Sequence, residues 1–288
     1  MSGPGLSVTF AHLTDPGRVR TQNEDHLCAF EPADGRLLGQ RGRLFVVADG
    51  MGGHARGEVA SHLAVDTVRT VYYDDRLPEE LPQLLSVTVR RANEVLYRES
   101  RLGADEPRMG TTLTMLVIRE QDAFLAHVGD SRAYLIRGRH IRQLTEDHSL
   151  VSELVRQGVL STEEAERHPS AHVILRALGT SGEVPVELHG PLPLRAGDTL
   201  VLCTDGLSRI VAANEIRRLA GASSPRQACE RLVSLANDRG GPDNITLQVV
   251  RIGGPQGLLR AWVASPVAGL AGFARWCRRW PRHMGDAG

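Results

Sequence analysis

Acidic residues at the ends of apolar runs are the side chains in this sequence that could do chemistry. Leu44-Phe45-Val46-Val47-Ala48 leads into Asp49-Gly50-Met51-Gly52-Gly53, Thr199 to Thr204 leads into Asp205-Gly206, and Ala123 to Val128 leads into Gly129-Asp130-Ser131. Two more clusters precede such runs: Asn23-Glu24-Asp25 before His26 to Phe30, and Asp243-Asn244 before Ile245 to Val250. A short apolar, β-branched run bounded by turn residues is a core strand, so each carboxylate is expected at the rim of a sheet. Asp-Gly is expected to break the first of these strands, with Gly50 letting the backbone turn and its carbonyl approach a ligand. Alone, Asp49-Gly50 reads equally well as a plain hairpin turn. The recurrence favours a shared site, and carboxylates brought together need a cation, because like charges at close range raise one another's pKa.

Composition narrows the chemistry further. The chain has 288 residues and a formal net charge of zero, so it can bury a large core and carries no overall nucleic-acid footprint. No lysine occurs anywhere. That removes the phosphate-binding lysine of a P-loop and the strand lysine of a protein kinase. Cys28, Cys203, Cys229 and Cys277 lack C-x-x-C spacing, which argues against a disulfide framework or a zinc site and fits a reducing compartment. No basic region followed by an apolar core opens the chain, so no secretion signal and a cytoplasmic location are expected.

The elements that must position the carboxylates follow from periodicity. Leu6 to Thr14 reads as a first strand, followed by the turn Asp15-Pro16-Gly17 and by Arg20, ahead of Glu24-Asp25. Arg20 fits either a solvated surface arginine or, beside a metal cluster, a bidentate phosphate ligand. Glu31 to Arg43 reads as a loop. Two helices are expected over His54 to Asp75, with Val59, Leu63, Val65, Val68 and Tyr72 on its apolar face, and over Leu81 to Glu99. Gly110 to Ile118, Ala123 to Val128, Ala133 to Ile136 and Ile141 to Leu144 form a meander. Asp147 to Leu178 is helical and charged, an insertion expected to act as a flap at about residues 147–180. Strands at Val184 to Leu188 and Thr199 to Cys203, helices at Asn214 to Ala220 and Pro225 to Asn237, and a last strand complete the pattern. Tight turns between consecutive strands, and helices in pairs, predict an α+β fold built on antiparallel sheets.

Arg20-x-x-x-Glu24-Asp25, Val47-Ala48-Asp49-Gly50-Met51-Gly52-Gly53-His54, Gly110-Thr111-Thr112, Val128-Gly129-Asp130-Ser131-Arg132, Asp205-Gly206-Leu207 and Gly241-Pro242-Asp243-Asn244-Ile245-Thr246 occur in one order. That order resembles the metal-dependent protein serine/threonine phosphatases of type 2C, the PPM family, in its bacterial branch. The resemblance covers roughly residues 5 to 252. It implies a central antiparallel β-sandwich with helices on both faces, and two Mn²⁺ or Mg²⁺ ions, with a third as a further option, at one end. By the same resemblance Asp49 bridges two metals, the Gly50 carbonyl binds one of them, and Asp205 and Asp243 bind the other. Glu24 and Asp25 act mostly through coordinated water, Asp130 helps to hold a third metal, and Arg20 takes the substrate phosphate.

The implied chemistry is hydrolysis of phosphoserine and phosphothreonine on protein substrates, including those of serine/threonine kinases. An oxygen-only ligand set favours hard octahedral cations such as Mg²⁺ or Mn²⁺ over Zn²⁺, and two of them can acidify a bridging water and neutralise phosphoryl oxygens. Met51 stands where some eukaryotic members carry a histidine after Asp-Gly. The acid that protonates the leaving group is therefore unassigned, with His54 nearby also readable as a helix start. Two rivals stay open: a phosphatase dedicated to one regulatory protein of the anti-sigma-factor antagonist type, and a pseudophosphatase binding module. Residues 1–252 are expected to form the catalytic domain and 253–288 a tail holding Trp262, Trp276 and Trp280 with Arg275, Arg278, Arg279 and Arg282. Such a tail suits an anionic membrane surface or an acidic partner, and equally a segment docked on its own domain or left disordered.

Overall fold

Alternating side chains divide each central strand between two environments, and this builds the layers. The computed structural model describes residues 6–52, 56–78, 80–101 and 109–255. All of them fall in one compact unit, Met1–Gln256. The chain begins with β1 (Leu6–Asp15), β2 (Asp25–Phe30), α1 (Gly35–Arg41), β3 (Arg43–Met51), α2 (Arg56–Tyr72) and α3 (Leu81–Glu99). It continues through β4 (Gly110–Thr111), β5 (Leu113–Arg119), β6 (Asp122–Val128), β7 (Arg132–Arg137), β8 (His140–Gln143), α4 (Leu150–Arg156) and α5 (Thr162–Glu166). It closes with β9 (Glu187–Pro193), β10 (Thr199–Cys203), α6 (Asp205–Ser208), α7 (Ala213–Ala222), α8 (Pro225–Asp238) and β11 (Ile245–Pro255).

One sheet has the order β1-β11-β10-β7-β8 and the other β2-β3-β5-β6-β9, with β4 paired to β3; every pairing is antiparallel. On β3, Phe45 and Val47 point into the layer between the sheets, where they meet Leu116, Leu135, Leu200, Leu202 and Val250. Leu44, Val46 and Ala48 point the other way, against α2 and α3. Each of the large apolar side chains of β3 is fully buried, worth roughly 1.5–3 kcal/mol apiece. The outer face of the other sheet, with Tyr134, Val201, Cys203 and Val249, is covered by Ile216 and Ala220 of α7 and by Ala228, Leu232 and Ala236 of α8. The result is the expected four-layer arrangement, helices, sheet, sheet, helices. Cys28, Cys203 and Cys229 are free thiols.

Several expectations are corrected. β3 does not break at Asp49 but runs on to Met51, because β4 continues the ladder by pairing Gly50 with Thr111 and Met51 with Gly110. Inside the expected loop 31–43 lies α1, capped by the Asp34 side chain, which accepts from Arg36 N at 2.8 Å, and anchored by buried Arg41, whose guanidinium donates to Pro78 O at 2.8 Å. On α2 the buried stripe uses Ala60 and Ala64 rather than Val59, which is 49 % exposed. Small residues on that face let the helix lie close against β3. The strand expected at Val184 to Leu188 is found instead as β9, at the edge of its sheet and mostly exposed, which hid its alternation. β11 extends to Pro255 and pairs Pro255 with Leu6, past the boundary expected at Ile252. The flap contains two short helices, α4 and α5, is tied back to β4 by the Thr111–Leu178 bridge and is closed on itself by the Ser149–Ile174 bridge. His54 and the tryptophan-containing tail lie outside the described residues.

Candidate metal centre

Antiparallel pairing carries five strand-end aspartates to one end of the sandwich. β2 begins where β3 ends, so Asp25 and Asp49 are cross-strand partners. In the other sheet β10 ends where β11 begins, and backbone Thr204 N donates to Thr246 O at 3.0 Å, which sets Asp205 beside the Asp243-Asn244 turn. Asp130 follows β6, whose last residue Val128 pairs with Leu113. Arg20, Glu24, Asp49, Gly50, Asp205 and Asp243 line a cleft of about 700 Å³, joined by His172 and Ile174 from the flap and by Arg209. Asp25 and Asp130 sit behind that surface, 4 % and 3 % exposed.

Backbone and hydroxyl contacts hold the carboxylates in place. Thr204 donates its hydroxyl to Asp25 Oδ2 at 2.8 Å and accepts from Thr246 N at 3.0 Å. Thr112 Oγ1 accepts from Asp49 N at 2.9 Å and lies 2.7 Å from Ser131 Oγ, tying Asp49 to the residue after Asp130. Asn244 accepts from Glu24 N at 2.8 Å and donates to Gln22 O at 2.8 Å and to Pro16 O at 3.0 Å, so it fixes the Arg20 to Glu24 loop from across the sandwich. Gly50 is required sterically: a Cβ there would lie 2.1 Å from Gly57 O and 2.5 Å from Glu24 O. At Gly57 a Cβ would press on the Glu24 carboxyl group, 2.6 Å from its Cδ.

Electrostatically the cluster calls for a cation. Burial pushes Asp25 up to about 7 against the Thr246 and Thr204 hydrogen bonds, with Asp205 and Asp243 raising it further. Asp130 is also pushed up to about 7, by burial and then by Asp205, while Arg209 pulls it down. Asp49 is raised well above the carboxylate range by burial and then by Asp25, Asp205 and Asp130. Asp25 Oδ1 and Asp130 Oδ1 are buried and have no hydrogen-bond partner in the protein. A buried, unpartnered carboxylate oxygen is costly unless a cation or its water takes the lone pair, so this all-oxygen set fits hard divalent ions.

Two arginines flank the carboxylates. Arg20 donates through Nη2 to Asp243 Oδ2 at 2.8 Å, remains about half exposed and lines the cleft. Arg209, which sequence reasoning missed, reaches Asp130 Oδ2 at 2.9 Å and Asp205 Oδ2 at 3.1 Å. Its signal was the i,i+4 spacing from Asp205, legible only once Asp205 is known to open a helical turn. In α6 it does so, with Thr204 as the N-cap residue.

Away from the cleft, His127, His148 and Glu187 also bring ligand-type atoms within 4.8 Å of one another. Those atoms are already engaged. His127 Nδ1 lies 2.9 Å from Thr114 Oγ1 and its Nε2 lies 3.0 Å from Gly129 O, while Gly129 N donates to His148 Nδ1 at 3.1 Å. His148 Nε2 faces Glu187 Oε2 at 3.1 Å. The three form a hydrogen-bonded prop beneath the Gly129-Asp130 turn.

With this geometry in place, comparison with known proteins identifies the lineage. The serine/threonine phosphatase stp of Listeria monocytogenes (strain F2365) is 40 % identical over 245 residues, covering 82 % of this chain and 93 % of that protein. Stp1 from Staphylococcus aureus superposes with a TM-score of 0.78 at 34 % identity, covering 88 % of this chain and 98 % of that one. The catalytic domain of the serine/threonine protein phosphatase PstP, solved with two manganese ions, gives 0.72 at 36 % identity, covering 86 % of this chain and 100 % of that one. The protein phosphatase 2C family model matches residues 25–246, from the buried carboxylate that opens β2 to the threonine that anchors Thr204, and the chain therefore belongs to the protein phosphatase 2C family.

Proposed function

We propose that the cleft binds two divalent cations, Mn²⁺ or Mg²⁺, through Asp49, the Gly50 carbonyl, Asp205 and Asp243, with Glu24 and Asp25 acting through water and Asp130 serving a third ion. The chain is a metal-dependent protein serine/threonine phosphatase acting on phosphoprotein substrates. The observation that carries the ligand reading is the convergence of five aspartates from both sheets on one rim, with two buried carboxylate oxygens unpartnered. When bound, the metal pair supplies positive charge that activates water and offsets charge on the phosphoryl oxygens.

The chain's own residues do the rest. Arg20 anchors a phosphate oxygen with its exposed guanidinium edge, and its bond to Asp243 fixes the approach of that group to the metal ligands. Asn244 and Thr112 keep the loop and the strand end from drifting, so the ligands need little rearrangement to receive a cation. Ile174 and His172 wall one side of the cleft and limit how much water surrounds the substrate. The substrates include targets of serine/threonine kinases, and a phosphatase dedicated to one regulatory phosphoprotein uses the same site. No helix among the described residues is long and apolar enough to cross a membrane. A cytoplasmic catalytic domain that runs to the end of β11 at Pro255, followed by a tail that touches a membrane surface or an acidic partner, is the arrangement we favour.

Hydrolysis of an aryl phosphate and of a phosphothreonine peptide should require Mn²⁺ or Mg²⁺ and stop with chelator. Turnover unaffected by chelation would sink the mechanism. A chain that binds phosphopeptide but never hydrolyses it would be a binding module instead.

A further inference from the structure

Arg209 makes three contacts that no other described arginine in the cleft combines. Its Nε lies 3.1 Å from Asp205 Oδ2 and its Nη2 lies 2.9 Å from Asp130 Oδ2. The same Nη2 also donates to the carbonyl of Ala171 in the flap at 3.1 Å. Asp205 and Arg209 stand four residues apart across α6, so one helical turn carries both the carboxylate and the cation. Asp130 is 3 % exposed, and its other oxygen, Oδ1, is buried and unpartnered, which leaves Arg209 as the one protein cation that touches it among the described residues.

From this arrangement we infer that Arg209 is a built-in counter-cation for the Asp130–Asp205 pair, which competes with a divalent ion for those carboxylates and ties the exchange to the flap. The inference rests on the reading of Asp130 and Asp205 as metal ligands. A guanidinium on Asp130 Oδ2 and a metal ion on the same carboxylate, whether at that oxygen or at the buried, unpartnered Oδ1, are two positive groups sharing one negative charge, so each weakens the other's hold. A cation bound there repels Arg209, and displacing Arg209 releases its bond to Ala171. The weakest metal site is then weak by construction, and its filling loosens the wall of the cleft that carries His172 and Ile174. The residue type matters: a planar guanidinium can span two carboxylates and a carbonyl, whereas a lysine ammonium on the same stem reaches fewer partners at once.

Mn²⁺ titration followed by electron paramagnetic resonance tests this without relying on turnover. Arg209→Gln should tighten the weakest class of bound Mn²⁺ by roughly tenfold, the scale of one charge-assisted hydrogen bond removed from a competitor. Arg209→Lys should fall between the two. Arg20→Gln removes the same charge beside Asp243 and should leave that weakest class where it was. Cleavage of the flap by a glutamate-specific protease at Glu163 and Glu164 should speed up in the parent as the weakest class fills, and be fast in Arg209→Gln at all Mn²⁺ concentrations. An Asp130→Asn protein that binds as many ions as the parent overturns the ligand reading and the proposal with it. If Asp130→Asn loses one ion while Arg209→Gln leaves affinity and flap cleavage unchanged, the ligand reading survives and the competition is wrong.

Discussion

Asp25 and Asp49 sit directly opposite each other on neighbouring antiparallel strands, with both side chains on the face that looks into the space between the sheets. Two carboxylates in that relation repel, and burial raises both pKa values. No requirement of folding explains the pair. It is the cost that the proposed ligand site would impose, and it makes a prediction that separates activity from stability. Asp49→Asn should lower turnover by roughly 100-fold or more, while the chelated variant melts above the chelated parent. Relief of about 1 kcal/mol would raise Tm by roughly 2–4 °C in a chain of this size. Near-normal turnover at saturating Mn²⁺ would remove Asp49 from the ligand set.

Asp205 and Asp243 approach from the other sheet, and each is proposed to bind one ion rather than to bridge. Asp205→Asn or Asp243→Asn should weaken that ion, so activity at low Mn²⁺ falls while high Mn²⁺ restores part of it. Activity measured across a Mn²⁺ series checks this. A deficit that no concentration narrows would count against the assignment.

Arg20 touches Asp243 with one nitrogen and the cleft with the rest of its guanidinium. Arg20→Ala should raise KM for a phosphothreonine peptide by roughly tenfold while kcat changes little, since the phosphate is held in ground and transition states alike. Metal affinity should be kept or slightly improved, because Asp243 is released. A variant whose defect is confined to metal binding would make Arg20 a structural residue.

His127 is fully buried, and burial, followed by the neighbouring His148, lowers it to about 4. Its folded pKa lies below the unfolded value of 6.5, so the unfolded chain binds the extra proton between the two. The associated stability is therefore complete above about pH 6.5 and is lost as pH falls toward 4, a total of up to about 3 kcal/mol. His26, stacked on His62 with ring centroids 3.6 Å apart and likewise lowered to about 4, acts in the same direction. In denaturant titrations at pH 4.5 and 7, His127→Gln should show a shallower loss of stability than the parent. Equal slopes would mean that His127 is not what the acid attacks.

Local rules made much of this legible from the residues alone. The period-2 alternation of β3, the helical spacing of α3 and α8, and the placement of Asp49, Asp205 and Asp243 beside apolar runs depend on neighbours a few positions away, and sequence reading finds such features. The motif order carried the family, and with it the four layers. Other features depend on residues far apart in the chain. Whether the strand ended at Asp49 was decided by Thr111 and Gly110 pairing with Gly50 and Met51. The helix α1 needed Arg41 to find the carbonyl of Pro78, 37 positions on. Asp25 is held by Thr204 across 179 residues, and Arg209 meets Asp130 across 79, contacts set by the register of two sheets and by the flap's return to one of them. Residue type and spacing thus determined which groups could bind a cation, because strand and turn preferences act over a few residues. Which of them share a rim, which is opposed by which, and where an arginine already stands among them were decided only by tertiary pairing, because cross-strand register is a long-range choice that no local window contains.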